Sequence, residues 1–252
     1  MIRVNPELTD EQLLRLFDKG TLGQWTPDAI DWGDADRITP EKRHAIAQVL
    51  TPVYLGEQTA MYGISAVLPD MLSHGHHEEA LYLSSMGLDE GRHFRNLYKL
   101  YDIFHEEPAS RHRIPEMFHY HARLLSHRDS TEWIWGILIS DLFAKHFYGG
   151  LNARFPDTLI GRLARRTLRD EARHQAFSER YLEKRLPTMD ETHKTQLLAL
   201  RDDLFRIMEA IGQRLKEPML TLAWDPATFL EELYTDTQKW VQRLYLSQMP
   251  SS

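Results

Sequence analysis

"LDEGRHFRNLYKLY" occupies residues 88–101 and "RDEARHQAFSERYL" occupies 169–182, so Asp-Glu-x-Arg-His is written twice, with Glu90 and Glu171 81 residues apart. Both stretches read as parts of long helices. On a helix, a Glu and a His three residues apart lie on one face, a turn from each other. Glu90 with His93, and Glu171 with His174, can therefore each present a carboxylate and an imidazole to one point. A single Glu-x-x-His on an amphipathic helix is common and usually marks a solvated face. Two copies in near-identical context demand a joint explanation.

The rest of the chain narrows that explanation. There is no cysteine in 252 residues, which excludes disulfides, thiolate metal sites and cysteine nucleophiles. Any metal must be held by His, Asp or Glu. An apolar fraction of 42% with 27% charged residues is ordinary for a globular protein. The net charge of -7 argues against a nucleic-acid partner. The sequence has no apolar run of membrane-span length and no secretory leader at its start, so a cytoplasmic location is the expectation.

Strand signals are nearly absent and helix signals are frequent. Thr9 with Gln12 has the form of a capping box. Residues 20–38 have the Gly, Pro and Asp of an irregular arm. Thr39 and Pro40 open a helix expected to run to about Val67, with a break at Pro52. Further helices are expected from His76 to Phe104, from Glu116 to His127, from Asp129 or Ser130 to about 155, and from near Pro156 to Pro187. Two amphipathic helices follow, at about 190–216 and 226–247. No linker divides the chain, so 1–252 reads as one all-α domain: a core bundle at about 41–186 with additional N- and C-terminal helices.

Two Glu-x-x-His helices can hold a pair of metals when two further helices each add a carboxylate. "VYLGEQTAMYGISAVL" (53–68) contains one acid, Glu57, in an apolar setting. In "WIWGILISDLFAKHFYGGL" (133–151) the one acid is Asp141. A lone buried carboxylate there would cost several kcal/mol or take up a proton, and a cation removes the objection. Glu57 precedes Glu90 by 33 residues and Asp141 precedes Glu171 by 30, gaps that fit one helical hairpin each. Glu132 and His146 are the other candidates on that third helix, although Glu132 sits near its N-terminus, where an acid is favoured anyway.

The Asp that precedes each Glu also has a role available. A metal-bound imidazole usually gives its other N–H to a carboxylate, which fixes ring and tautomer. Asp89 is expected to reach His174, Asp170 to reach His93, and Arg92 and Arg173 to neutralise both carboxylates.

At this point the residues resemble the ferritin-like di-iron carboxylate superfamily, which includes the ribonucleotide reductase small subunit, acyl-carrier-protein desaturases, rubrerythrins and bacterial monooxygenase hydroxylases. The likeness spans about residues 41–186. It implies a ferritin-like four-helix bundle in which Glu57, Glu90, His93, Asp141, Glu171 and His174 ligate two iron ions, or manganese with iron. The chain departs from the pattern in having Asp rather than Glu at 141. The reductase's radical tyrosine would fall at Leu97, with Tyr98 and Tyr62 out of register.

The function implied is O2 activation and oxidation of a small, largely apolar substrate by hydroxylation, N-oxygenation or desaturation. Electrons would come from an external donor, a ferredoxin or reductase, because the chain has no such motif of its own. The other readings are a ferroxidase or peroxide scavenger, and a non-catalytic scaffold subunit. Tyr54, Met61, Phe94, Leu97, Ile137, Phe143 and Phe147 are the expected apolar wall. "SHGHH" (73–77) reads as a solvated loop and "FHYHARLLSH" (118–127) as a surface or interface helix. The last two helices either cover the bundle or form a homodimer contact.

Overall fold

The carboxylate of Asp10 accepts the amides of Gln12 and Leu13 and so caps α1 (Glu11–Leu22). The computed structural model describes residues 10–110, 112–126 and 129–246, of the last two only the backbone. The expected cap, Thr9, lies outside them, and α1 begins from Asp10 instead. Asp10 also receives Arg180 and Lys184 from a later helix, which ties α1 to the bundle. Burial would raise its pKa, but Lys184, the Leu13 amide and Arg180 outweigh that and hold it at about 2. A depressed carboxylate stabilises the fold above its unfolded value and loses that contribution as pH falls through about 2. Asp10→Ala is expected to cost about 1 kcal/mol at neutral pH from the cap alone. Denaturant titrations of the variant at pH 7 and pH 2 should converge on wild type at the lower pH.

After α1 the irregular arm appears as expected, apart from two short 3-10 turns, Pro27–Ala29 and Ala35–Arg37. The side chain of Thr39 then caps α2 (Pro40–Ser73). This helix does not stop near Val67 and does not break at Pro52, but continues through both Pro52 and Pro69. An interior proline costs roughly 3 kcal/mol. Every residue from Ala45 to Val53 is buried, and this packing offsets the lost hydrogen bond.

The chain folds back into α3 (His77–Phe104), which ends where His105 takes a left-handed conformation. Then come α4 (Glu116–Leu125), α5 (Ser130–Arg154) capped by Asp129, and α6 (Leu159–Arg185). α4 ends at Leu125 with Ser126 as its C-cap, and the expected end at His127 lies outside the described residues. The C-terminal part is α7 (Glu191–Arg214), a short α8 (Lys216–Thr221) and α9 (Pro226–Leu246). Among the described residues no strand occurs, and no helix is long and apolar enough to cross a membrane.

α2 lies along α3 and α5 along α6, and these two hairpins form the four-helix bundle. Its interior is divided. One apolar cluster contains Ile64 and Met71 of α2, Leu83 and Met86 of α3, Trp133 and Leu138 of α5, and Phe177 and Leu182 of α6. A second contains Ile46 and Leu50, Leu97 and Leu100, Phe147 and Leu151, and Leu159 and Leu163 from the same four helices. Between them, every helix of the bundle contributes buried polar side chains: Glu57, then Asp89, Glu90, Arg92 and His93, then Asp141, then Asp170, Glu171 and His174. Close approach of the hairpins depends on Gly63, where any Cβ would collide with the Trp133 indole.

The outer helices cover this bundle. α4 packs on α2 and α7, while α7 and α9 lie against α5. The buried face of α4 (Met117, Tyr120, Leu124) and that of α7 (Leu197, Leu200, Leu204, Met208, Ile211) follow helical spacing. The last helices pack on the bundle, as the first of the two readings expects.

Candidate metal centre

All six expected residues lie in this polar layer, and each is 5% exposed or less. Glu57, Glu90, His93 and Glu171 each bring one ligand atom to within 4.8 Å of the others, and Asp141, Glu171 and His174 do the same. The two groups adjoin, with ring centroids of His93 and His174 6.1 Å apart. Nδ1 of His93 lies 3.6 Å from Glu57, 3.7 Å from Glu90 Oε2 and 3.4 Å from Glu171 Oε1. Nδ1 of His174 lies 3.3 Å from Glu90 Oε1 and 3.5 Å from Glu171 Oε2. Glu90 and Glu171 thus each turn one oxygen toward either imidazole, as a carboxylate shared by two cations would. Glu57 adjoins the His93 side and Asp141 the His174 side. Glu132 stands in the first turn of α5, and His146 pairs with Asp236 at 3.0 Å, so neither joins the cluster.

The orientation of the rings is fixed from behind. His93 Nε2 lies 3.1 Å from Asp170 Oδ2, and His174 Nε2 lies 3.3 Å from Asp89 Oδ2. The cross-pairing between α3 and α6 is the one expected. Arg92 contacts Asp89 at 2.5 Å and Asp170 at 2.7 Å, and Arg173 contacts the same two at 2.9 and 2.7 Å. Two guanidinium groups and two carboxylates therefore close a buried square of zero net charge. Burial would raise the pKa of both Asp side chains. The facing imidazoles, with Gln24 for Asp89 and Arg92 and Trp25 for Asp170, hold both far below the usual range.

The arm completes this side. Gln24 Nε2 donates to Asp89 at 2.9 Å, and Trp25 Nε1 donates to Asp170 at 2.9 Å. Arg92 donates to the Gln24 carbonyl and stacks on the Trp25 ring, 5.0 Å from its centroid. Sequence reasoning missed both residues, because nothing in a polar, aperiodic segment tells which carboxylate it will meet. It also missed Tyr148, whose hydroxyl donates to Glu57 at 3.4 Å. A signal existed here, since Tyr148 stands two helical turns after Asp141 and on the same face.

The chemistry of the donor set fits a pair of divalent cations. Asp170 and Asp89 engage Nε2 of the two rings, so the lone pair left for a ligand is on Nδ1. Those two nitrogens and Asp141 Oδ2 are buried without a hydrogen-bond partner. Four inward carboxylates balance two divalent charges, while the Arg–Asp square balances itself. For the protein atoms alone, burial and then Glu57 push Glu90 up to about 7, and burial and then Glu171 raise Asp141 well above its ordinary value. Burial opposes charge on the imidazoles, but Glu57 and Asp170 around His93, and Glu90 and Asp89 around His174, raise both strongly. These shifts favour protons at the atoms a cation would occupy, and metal uptake would displace them.

The flank opposite the Arg–Asp square is apolar. A cavity of about 80 Å³ reaches Glu57, Glu90, Asp141 and Glu171, with walls from α2 (Pro52, Val53, Ala60), α4, α5 and α7. Of the expected wall only Ile137 and Phe143 line it. Leu97 is buried in the core, Tyr54 stacks on Phe94 on the outer side of α2 and α3, and Phe147 packs on Trp224. The missing wall is Met117, Tyr120 and Leu124 of α4 with Met208 and Ile211 of α7. The "surface helix" is therefore a lining helix whose outer face meets solvent. Tyr62 and Tyr98, 61% and 59% exposed, point away from the cluster.

No protein-family model matches this sequence, and no curated protein sequence matches it. The fold is nevertheless that of the ferritin-like helical bundle proteins. Among solved structures the chain is similar to dimanganese(II)-NrdF of Streptococcus sanguinis, at 15% identity and TM-score 0.77 over 100% of this chain and 93% of that one. A variant of an R2-like ligand-binding oxidase with an aerobically reconstituted Mn/Fe cofactor matches at 14% and 0.74, over 92% and 93%. A protein with aldehyde deformylating oxidase activity from Synechococcus matches at 16% and 0.68, over 84% and 93%.

Proposed function

We propose that this chain is an O2-dependent oxidoreductase in which Glu57, Glu90, His93, Asp141, Glu171 and His174 hold two irons, or manganese with iron, beside a small apolar substrate. One observation carries the reading: two imidazoles aim unpartnered Nδ1 atoms into a shared carboxylate cluster that is flanked by an apolar cavity. The bound pair would supply redox-active cations in an oxygen- and nitrogen-rich, sulfur-free setting, which suits the reduction of O2.

The chain's own part is positional. Glu57 with His93 would hold one cation and Asp141 with His174 the other, with Glu90 and Glu171 contributing from between the two imidazoles. The Arg–Asp square fixes the rings, while Gln24 and Trp25 exclude water behind them. Met117, Leu124, Met208 and Ile211 keep the cavity dry, so that a substrate is held against the carboxylate face by shape rather than by charge. Hydroxylation, N-oxygenation and desaturation all suit such a pocket, with electrons from an external ferredoxin or reductase. A ferroxidase or peroxide scavenger needs no apolar chamber at its metals, and the cavity favours the oxygenase reading. A scaffold subunit would not need the complete donor set.

The test is anaerobic loading with Fe(II), then exposure to O2, followed by optical and Mössbauer spectroscopy. A transient spectrum is expected, and compounds that hasten its decay become substrate candidates. Bound iron whose spectrum O2 leaves unchanged would overturn the proposal, and rapid peroxide consumption without any organic compound would move it to the scavenging role.

A further inference from the structure

A second apolar cavity, of about 30 Å³, lies beyond the first, lined by Val49, Phe147, Leu215, Met219, Phe229 and Leu230 among others. The two share four residues: Pro52, Phe143, Met208 and Ile211. Pro52 belongs to α2, and Met208 and Ile211 belong to the covering helix α7. Phe143 differs, because it stands two residues after Asp141 and packs against both halves of the divided core.

Its ring stacks on Phe147 at 5.7 Å and meets Phe229 edge-on at 5.4 Å. Phe147 and Phe229 are themselves held by Trp224, at 5.4 and 5.3 Å. Trp224 in turn rests on Gly150, where a Cβ would collide with it. Three of the four rings are thus locked in place, and the fourth, Phe143, is only partly buried and faces the chamber at the carboxylates.

We infer that Phe143 is the specificity-determining residue of this site: its ring ends the chamber beside the carboxylates and limits how far an unbranched apolar substrate extends toward the chamber under α8 and α9. The inference rests on the proposed function for the identity of the first chamber, but its test does not require turnover. Such a partition predicts a length limit. Each methylene that enters an apolar site strengthens binding by about fourfold, and those that do not fit add nothing.

The experiment is anaerobic titration calorimetry of straight-chain primary alcohols, butanol to decanol, into the metal-loaded full chain and its variants. For wild type, affinity should climb about fourfold per carbon and then flatten or fall. In Phe143→Ala the climb should continue for several more carbons, while the shortest alcohols bind within a few-fold of wild type. Phe143→Leu, a milder change if the first variant folds poorly, should shift the limit by less. Phe143→Ala/Leu230→Trp, which refills the far chamber, should restore the wild-type limit. A limit that stays put in both folded single variants overturns the inference, as does wild-type affinity that shows no limit or no binding. If the alcohols behave as expected but O2 leaves bound iron unchanged, the oxygenase reading fails and the partition stands.

Discussion

Glu171→Ala is expected to lose most of its metal from both positions, not from one. Glu171 has an oxygen 3.4 Å from His93 Nδ1 and the other 3.5 Å from His174 Nδ1, and it belongs to both candidate ligand groups. Its removal would leave each cation of the proposed pair one donor short and the four-carboxylate charge balance incomplete. Losses of even outlying partners at metal sites cost 10–100-fold in affinity, and a shared ligand should cost at least that at each position. The informative contrast is Asp141→Ala, which touches the His174 side alone and leaves Glu57, Glu90, His93 and Glu171 in place. Elemental analysis after exhaustive dialysis should find Asp141→Ala near half-loaded and Glu171→Ala nearly empty. Full loading of Glu171→Ala would remove it from the ligand set.

Arg92→Leu should be the most destabilising single change outside the apolar core. Arg92 is 8% exposed and contacts both Asp89 and Asp170, themselves 1% exposed. Taking away one cation leaves Arg173 to serve two buried carboxylates, so the square acquires a net negative charge in a poor solvent for it. Breaking a buried ion network in this way costs about 3–5 kcal/mol, a large share of the 5–15 kcal/mol typical of a folded domain. Urea denaturation of the metal-free protein gives the number directly. Arg92→Leu/Asp170→Asn removes one charge of each sign and should recover part of the loss. If Arg92→Leu unfolds within 1 kcal/mol of wild type, water reaches the square and Gln24 and Trp25 do not seal it.

How much of this could be read in advance depends on the range of each interaction. Glu90, His93, Glu171 and His174 were legible because helical periodicity alone puts each pair on one face. Glu57 and Asp141 were legible because each is a lone charge in an apolar window, which makes an uncompensated burial conspicuous. The Asp89 and Asp170 cross-pairing followed from the needs of a ligating imidazole. The path of α2 did not follow, because a local rule for proline meets a tertiary gain that the rule does not contain. The cavity wall was misplaced for a related reason. Residues near the ligands in sequence face several directions, and the true lining comes from α4 and α7, whose apolar faces carry no label for what they cover. Gln24 and Trp25 arrive from 65 and 145 residues away through an aperiodic arm.

The polar stratum that parts the two apolar clusters has a consequence for the molecule as a whole. It is a seam across the middle of the interior, bridged by apolar contact only through partly buried side chains such as Phe143. Bound cations would act there as a keystone, drawing side chains from all four rods to common centres. Heat resistance would then report metal content, and the atoms that make the chain reactive would also be those that keep its two halves together.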